Sequence, residues 1–342
     1  MSYYDKYQKY KMKYLELKKL SLNTTTTKIN LSECSKDGKT FISLICTHSA
    51  RLRCFMMDIV KDVMIKLLNE NKVKEIRFKN VCILEMKIDC SGASLKMVFS
   101  GFITKENRKG IYFTIGKNYD NDFLDGDIIF PELNISLTSL KLNQEIIKNN
   151  TFIFYIIRHG EGFHNVAKIS QKVMGAIKGI VTENKLQDAL LTDKGKKDAA
   201  GAGEKLREMI GNKKIDFLFA SKLRRTRETL KNIIGNNNFS YESQLPNNII
   251  ILPCSHELEF KDGGNCDENQ SIFNNPENTQ KCYNDGNFSS INEELCDNIT
   301  LSTGKPILIN WNIYTNYKKD KNKKCSNTNM IKEAIEYIIK NK

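Results

Sequence analysis

Residues 152–165 read FIFYIIRHGEGFHN, an apolar run that gives way at once to charged and small residues. The run Phe152–Ile157 has the length and the β-branched and aromatic content of a buried strand. Arg158, His159 and Gly160 follow where that strand would end. Because open α/β sheets bind ligands beyond the carboxyl ends of their strands, this stretch predicts both a strand of the sheet and a binding site at its end.

Three further apolar runs end in polar residues of the same kind. They are Ile42–Cys46 before Thr47-His48-Ser49 and Arg51, Ile215–Ala220 before Ser221 to Thr226, and Ile249–Leu252 before His256-Glu257. Periodicity predicts helices at 53–69, 167–180, 193–210, 225–234 and 330–339. We therefore expect one α/β sandwich with a mostly parallel central sheet and helices on both faces. The four polar clusters would then converge on one edge of that sheet.

The segments between these elements are less regular. Glu75–Ile88 and Ser94–Ile103 predict a β-hairpin at one edge of the sheet. Residues 105–150 are mixed, with short strand candidates at Ile111–Ile115 and Ile128–Phe130. Residues 261–328 are rich in Asn, Asp, Cys and Ser, which predicts a long irregular insertion.

The composition is that of a globular chain of 342 residues, with 40% hydrophobic residues and a net charge of +13. No apolar run is long enough to cross a bilayer and no secretory signal pattern is evident, so we expect a soluble, cytoplasmic protein. The lysines are spread out, which indicates compositional bias and argues against a nucleic-acid partner. The ten cysteines are scattered without a C-x-x-C pair, which predicts free thiols and no metal site.

Residues 1–39 form a separable, basic segment. Tyr3, Tyr7, Tyr10 and Tyr14 recur at helical spacing among lysines, which predicts an amphipathic helix over 1–20, followed by a polar linker. The helix could pack on the main domain, contact a partner or lie on an anionic surface. The segment resembles the N-termini of many giant-virus proteins, and this resemblance implies a location in a host cytoplasm or a virion.

The polar clusters contain the groups that phosphoryl transfer needs. A neutral imidazole such as that of His159 can attack phosphorus and form a phosphohistidine. Arginine guanidinium groups bind phosphate oxygens through paired hydrogen bonds and stabilise the charge of the transition state. Gly160 allows the backbone to approach the phosphoryl group. A carboxylic acid must protonate the leaving oxygen and then activate water.

These clusters carry a family resemblance. Arg158–Asn165 resembles the R-H-G-E-x-x-x-N signature of the histidine phosphatase superfamily, the phosphoglycerate mutase-like proteins. Asp188–Gly195 is similar to the family's D-x-x-L-T-x-x-G segment, and Ser221–Thr229 resembles its S-x-L-x-R-A/T-x-x-T segment. Pro253–Glu257 falls in the family's P-x-x-x-E pattern.

The resemblance implies roles for individual residues and needs neither a metal nor an organic cofactor. His159 would be the nucleophile, and Glu257, or alternatively Glu259, would be the acid that protonates the leaving oxygen and then activates water. The phosphate-binding residues would be Arg158, Arg225, Asn165 and Gly160.

The neighbouring residues have weaker assignments. We expect Arg224 and Arg227 at the surface and Glu161 and His164 at the rim of the site. Ser49 and Arg51 could touch substrate or only begin a helix, and His256 would be structural or substrate-facing.

One departure from the family concerns the order of the chain. The family has a second catalytic histidine near its C-terminus, whereas no histidine follows His256 here. His48, in the segment FISLICTHS at 41–49, looks like that missing strand and histidine. We therefore infer a circular permutation within a single domain over 40–342. Residues 40–104 would be the family's C-terminal part, 105–150 a connector and 151–342 its N-terminal part.

The sequence thus predicts a phosphomonoester hydrolase that acts through a phosphohistidine. Its substrate would be a small phosphorylated molecule or a phosphoprotein. Two alternatives stay open, namely phosphoglycerate mutase-type phosphotransfer and a non-catalytic phosphate-binding or interaction protein. A structural or virion-associated role mediated by the basic helix is a further possibility.

Overall fold

The computed structural model describes residues 38–59, 76–102, 111–115, 128–130, 132–166, 188–235, 245–256, 299–300, 306–319 and 329–342. Several predicted features lie outside these residues. They are the N-terminal helix over 1–20, the helix at 167–180 and both candidate acids, Glu257 and Glu259.

Twelve strands, numbered in chain order, occur in the described part of the chain. Nine form one sheet, in the spatial order β11 (Ile299–Thr300), β12 (Pro306–Asn310), β10 (Asn248–Ile251), β9 (Phe217–Ala220), β1 (Thr40–Thr47), β8 (Thr151–Arg158), β3 (Ile83–Asp89), β4 (Gly92–Phe99) and β7 (Leu133–Ile135). The other three form a short parallel sheet of β2 (Ile76–Arg77), β5 (Ile111–Ile115) and β6 (Ile128–Phe130).

The large sheet is mostly parallel, as the sequence predicts. Strands β12, β10, β9, β1 and β8 pair in parallel. The β3–β4 hairpin adds to β8 in antiparallel fashion at one side, and β7 and β11 are the antiparallel edge strands. The predicted hairpin is confirmed, but its first strand begins at Ile83 and not at Glu75, because Ile76–Arg77 pairs with β5 in the small sheet. Strand β7, which pairs with the outer strand β4 of the hairpin, was not predicted.

Strand β1 lies in the middle of the sheet, between β9 and β8. Its register with β8 runs from the Thr40–Thr151 pair to the Thr47–Arg158 pair. Leu44, Ile45 and Cys46 are completely buried, which is typical of a parallel strand with helices on both faces.

Five helices are complete within the described residues. They are α1 (Gln144–Ile147), α2 (Asp193–Ile210), α3 (Arg224–Gly235), α4 (Asn312–Lys319) and α5 (Asn329–Asn341). Residues 49–59 and 163–166 are also helical.

The strands contribute alternate side chains to two apolar clusters, one on each face of the sheet. In β8, Phe152, Phe154 and Ile156 pack with α5 and the helix at 49–59. Tyr155 and Ile157 pack with α2 and α3 on the other face. The period of two follows from strand geometry, and the predicted helices on both faces are confirmed. No helix in the described residues is long and apolar enough to cross a membrane.

The sequence-based predictions for the segment 261–328 and for the cysteines are wrong in part. The segment 261–328 contains β11, β12 and α4, so it is not irregular throughout. The alternation around buried Ile307 and Ile309 is too short to stand out from the polar flanks. Among the described cysteines, Cys46, Cys54 and Cys82 are free thiols as predicted, but Cys90 and Cys254 each form a disulfide.

Candidate active site

The polar clusters that follow the four predicted strands meet at one edge of the sheet. Backbone hydrogen bonds between neighbouring strands continue just beyond the strand ends and hold these residues side by side. The amide of His159 donates to Thr47 O at 3.0 Å, and that of Ser221 donates to Cys46 O at 3.2 Å. Leu252 N donates to Ala220 O at 2.9 Å, which aligns the end of β10 with the same edge. Residues that follow four separate strands therefore surround one point.

His159 is buried and held in one tautomer. Its Nδ1 lies 2.6 Å from Gly160 O, and a carbonyl oxygen can only accept, so Nδ1 carries the proton. In the neutral ring Nε2 then bears the lone pair that a nucleophile needs. Burial lowers the pKa of His159 well below 6.5, and the charges of Arg225 and Arg158 lower it further. The ring is therefore neutral at physiological pH.

His48 lies beside His159, with 5.1 Å between the ring centroids. It is completely buried, and its Nε2 lies 2.8 Å from Ser221 Oγ. Burial, followed by the charge of Arg225, lowers its pKa well below 6.5. Ser221 Oγ also accepts from Leu223 N at 3.2 Å, so the first residue after β9 orients His48. Sequence reasoning used Ser221 only as part of a motif and missed this contact.

Arg225 and Arg158 supply the positive charge of the site. Arg225 sits in the first turn of α3 and is fully buried, close enough to both histidines to affect their pKa values. Arg158 ends β8, and its Nη1 donates to Phe78 O in the loop that precedes β3. The two guanidinium groups thus approach His159 from different elements.

The loop after β8 packs directly on the start of α2 through two glycines. A Cβ on Gly160 would lie 2.8 Å from Gly195 O, and one on Gly195 would lie 2.1 Å from Glu161 O. The amide of Gly160 donates to Thr229 Oγ1 of α3 at 2.9 Å. The backbone beside His159 is therefore fixed by two helices.

Glu161 and His164 are buried, so the prediction that they line the rim is wrong. Thr192, the N-cap of α2, donates its hydroxyl to Glu161 Oε1 at 2.9 Å and its amide to Glu161 O at 2.9 Å. Asn165, half-buried, accepts from Gly162 N at 3.0 Å through Oδ1 and donates its own amide to Gly162 O at 2.8 Å. The contacts of Asn165 with Gly162 fix the turn that follows His159.

The segment that leads to the candidate acid is tied to the end of β1. Thr47 Oγ1 donates to Ser255 O at 2.7 Å, and Arg51 Nε donates to His256 O at 3.1 Å. Ser49 Oγ accepts from Phe78 N at 3.3 Å. The side chains of Ser49 and Arg51 therefore each form a hydrogen bond with a backbone group of another segment, which is a structural role.

Two arginines of α3 were expected at the surface. Arg224 is half-exposed, and its amide donates to Asp188 Oδ1 at 2.7 Å. Arg227 is buried, with its guanidinium carbon 5.3 Å from the centre of the Trp311 ring. The prediction is wrong for Arg227, because Trp311 belongs to the unpredicted segment after β12 and provides a cation–π contact.

No cluster of His, Cys, Asp and Glu side chains that could hold a metal occurs in the part of the chain that the structure describes. The groups gathered around His159 are instead imidazole rings and guanidinium groups, which suit an anion.

Comparison with known proteins supports this chemistry. Residues 154–246 match the family model of the histidine phosphatase superfamily, branch 1. No match was found among curated proteins or among solved structures. The family match covers the segment with His159 and Arg225, and it indicates phosphatase or phosphotransferase activity.

Proposed function

We propose that this protein hydrolyses phosphomonoesters through a phosphohistidine on His159 Nε2. The observation that carries the proposal is the hydrogen bond from Nδ1 to Gly160 O, at 2.6 Å. It leaves the lone pair on Nε2, in a ring that burial and Arg225 keep neutral. The substrate is a small phosphorylated molecule or a phosphoprotein.

The surrounding groups stabilise the charge that develops on the transferred phosphoryl group. Arg158 and Arg225 bind its oxygens, and His48 lies near enough to contribute a further hydrogen bond. Gly160 and Asn165 shape the loop against which the phosphoryl group rests. The positive site would also bind free phosphate, sulfate or vanadate.

In the reaction, Nε2 of His159 forms a bond to phosphorus as the bond to the leaving oxygen breaks. Glu257 gives its proton to that oxygen, then takes a proton from the water that cleaves the phosphohistidine. Glu257 follows the turn Pro253–Ser255, which Thr47 holds near the end of β1. Its role rests on the sequence pattern.

We further propose that the chain is a circularly permuted member of the superfamily. Two observations support this idea. Strand β1, which carries His48, lies between β9 and β8 although it precedes both in the chain. The antiparallel hairpin that follows it in sequence lies on the far side of β8.

The test is to trap the phosphohistidine by mass spectrometry after rapid mixing with p-nitrophenyl phosphate. We expect one phosphate on His159, and loss of both the adduct and turnover in His159→Ala. A binding or interaction protein would bind vanadate but form no adduct. A mutase-type enzyme would pass the phosphoryl group to an added acceptor faster than to water. Full turnover in His159→Ala would refute the proposal.

A further inference from the structure

A third histidine lies beside the nucleophile. His164 is only 6% exposed, and its ring centroid is 5.6 Å from that of His159, at an interplanar angle of 48°. This separation is close to the 5.1 Å between His48 and His159. Two imidazole rings other than the nucleophile are therefore close enough to reach a group bound to it.

The turn at 162–166 is built to admit the His164 ring. A Cβ on Gly162 would lie 2.7 Å from His164 Nδ1 and 2.9 Å from its Cε1, so the ring occupies space that only glycine leaves open. The turn is fixed by Asn165 Oδ1 on Gly162 N at 3.0 Å and by Phe163 N on Leu190 O at 3.0 Å. The position of the ring thus follows from a rigid backbone.

The burial pattern of this turn is the reverse of what packing alone would favour. His164 points inward, whereas Phe163 is 50% exposed and Val166 is 41% exposed. Burying a polar ring while two apolar side chains face solvent costs free energy in a protein that only has to fold. The inversion indicates that the polar ring is needed where it lies.

The arginines are not the only donors from which the phosphoryl group can accept hydrogen bonds. Its three non-bridging oxygens each accept more than one hydrogen bond, and Arg158 uses one N–H on Phe78 O. An imidazole ring carries at least one N–H donor in either protonation state, so His164 can provide such a hydrogen bond.

We propose that His164 is a phosphoryl-binding residue that donates a hydrogen bond to a non-bridging oxygen of the group on His159. This inference rests on the proposed phosphohistidine chemistry. His164 keeps its proton throughout, while the bond from His159 Nε2 to phosphorus forms and the bond to the leaving oxygen breaks. The donor acts most strongly in the transition state, where the equatorial oxygens carry the charge.

The test compares His164→Ala, His164→Gln and Val166→Ala, the last an exposed position on the same turn. The readouts are kcat/KM for p-nitrophenyl phosphate and the inhibition constant of orthovanadate, which adopts the geometry of the transition state. We expect His164→Ala to lower kcat/KM by about 10²-fold and to weaken the binding of vanadate to a similar extent. His164→Gln, which keeps an N–H donor, should recover part of both, and Val166→Ala should match the wild type.

A purely structural role would give a different pattern. His164→Ala would then lower the melting temperature, while kcat/KM and vanadate affinity per folded molecule stayed within threefold of the wild type, and the inference would be wrong. Failure of the phosphatase proposal itself is separate, because the wild type would then show neither turnover nor a phosphohistidine.

Discussion

His48 and His159 are buried histidines whose charged forms are disfavoured by burial first and by Arg225 next. Both folded-state pKa values therefore lie well below 6.5, whereas in the unfolded chain they return to about 6.5. Below that pH the unfolded state takes up protons that the folded state does not. The free energy of unfolding should therefore fall as the pH drops from about 6.5 towards the folded pKa values. Well above 6.5 both rings are neutral in the folded and the unfolded chain, so they should add no pH dependence to the stability.

Urea unfolding at pH 7.5, 6.5 and 5.5 tests this prediction on the wild type and on a His48→Asn, His159→Asn double variant. The variant lacks two of the titrating groups, so its stability should depend less on pH over this range. The titrating carboxylates are present in both proteins, so their effect on the pH dependence of stability cancels in the comparison. Equal slopes would show that the two rings are not held neutral by the fold.

The proximity of His159 and His48 could be anticipated at the residue scale, because each directly follows a recognisable strand. His164 could not, since its inward orientation depends on Gly162 and on the contact of Phe163 with Leu190. Burial of Arg227 was missed for a similar reason, as it requires Trp311 from a distant part of the chain. Glu257 as the acid stays a prediction.

At the scale of elements, α2 fixes the loop that carries His159, the proposed nucleophile. The helix begins at the N-cap Thr192, whose Oγ1 accepts from Gly195 N at 3.0 Å. The same threonine contacts Glu161, two residues after His159. Packing between this helix and the loop is so close that only a glycine fits at 195.

Gly195→Ala should therefore damage both stability and activity. The added Cβ would fall 2.1 Å from the backbone oxygen of Glu161, so the loop would have to move. We expect a loss of about 1–3 kcal/mol in the free energy of unfolding and a fall in kcat for p-nitrophenyl phosphate. Urea denaturation and steady-state kinetics provide the two measurements.

Gly201→Ala is the matched control, because it adds the same methyl group to the same helix. The nearest atom would be Phe102 Cζ at 3.3 Å, the end of an exposed ring that can move aside. Alanine is the better helix former by up to about 1 kcal/mol, so stability should be equal or higher. Equal losses in the two variants would refute the argument from close packing.

Element boundaries were predictable where the apolar pattern ends sharply. Strands β5 and β6 have the bounds predicted from sequence, Ile111–Ile115 and Ile128–Phe130. Strand β7 is only three residues long, so its alternation of apolar and polar residues is too short to be recognised. It forms because it pairs with β4 at the edge of the sheet. Such short elements depend on tertiary pairing more than on local propensity.

At the scale of the whole molecule, the last helix and the first strand of the large sheet come close together. Tyr337 in the C-terminal half of α5 lies 6.0 Å from the Phe217 ring. Phe41, at the start of β1, lies 6.5 Å from the same ring. The end of α5 is therefore near the point where β1 begins, which is the connection that the proposed permutation requires.

This geometry and the proposed permutation together predict that the chain tolerates the order of elements that is usual in the superfamily. A rearranged chain would run from residue 128 to 342 and continue, through a short Gly/Ser linker, from 38 to 115. Circular rearrangement preserves the packing of both apolar clusters when the joined ends are close. We expect it to fold and to hydrolyse p-nitrophenyl phosphate with a kcat within about tenfold of that of its control. This limit corresponds to a change of about 1.4 kcal/mol in the activation barrier.

The control contains the same residues and linker in the present order, 38–115 followed by 128–342, so that the omitted residues affect both chains equally. His159→Ala in the rearranged chain should abolish turnover, and this loss would show that the same site hydrolyses the substrate in both chains. Because β1 must insert between β9 and β8 to complete the sheet, incorrect docking would leave the core open and the protein aggregated. A folded, active control beside an unfolded rearranged chain would therefore contradict the permutation.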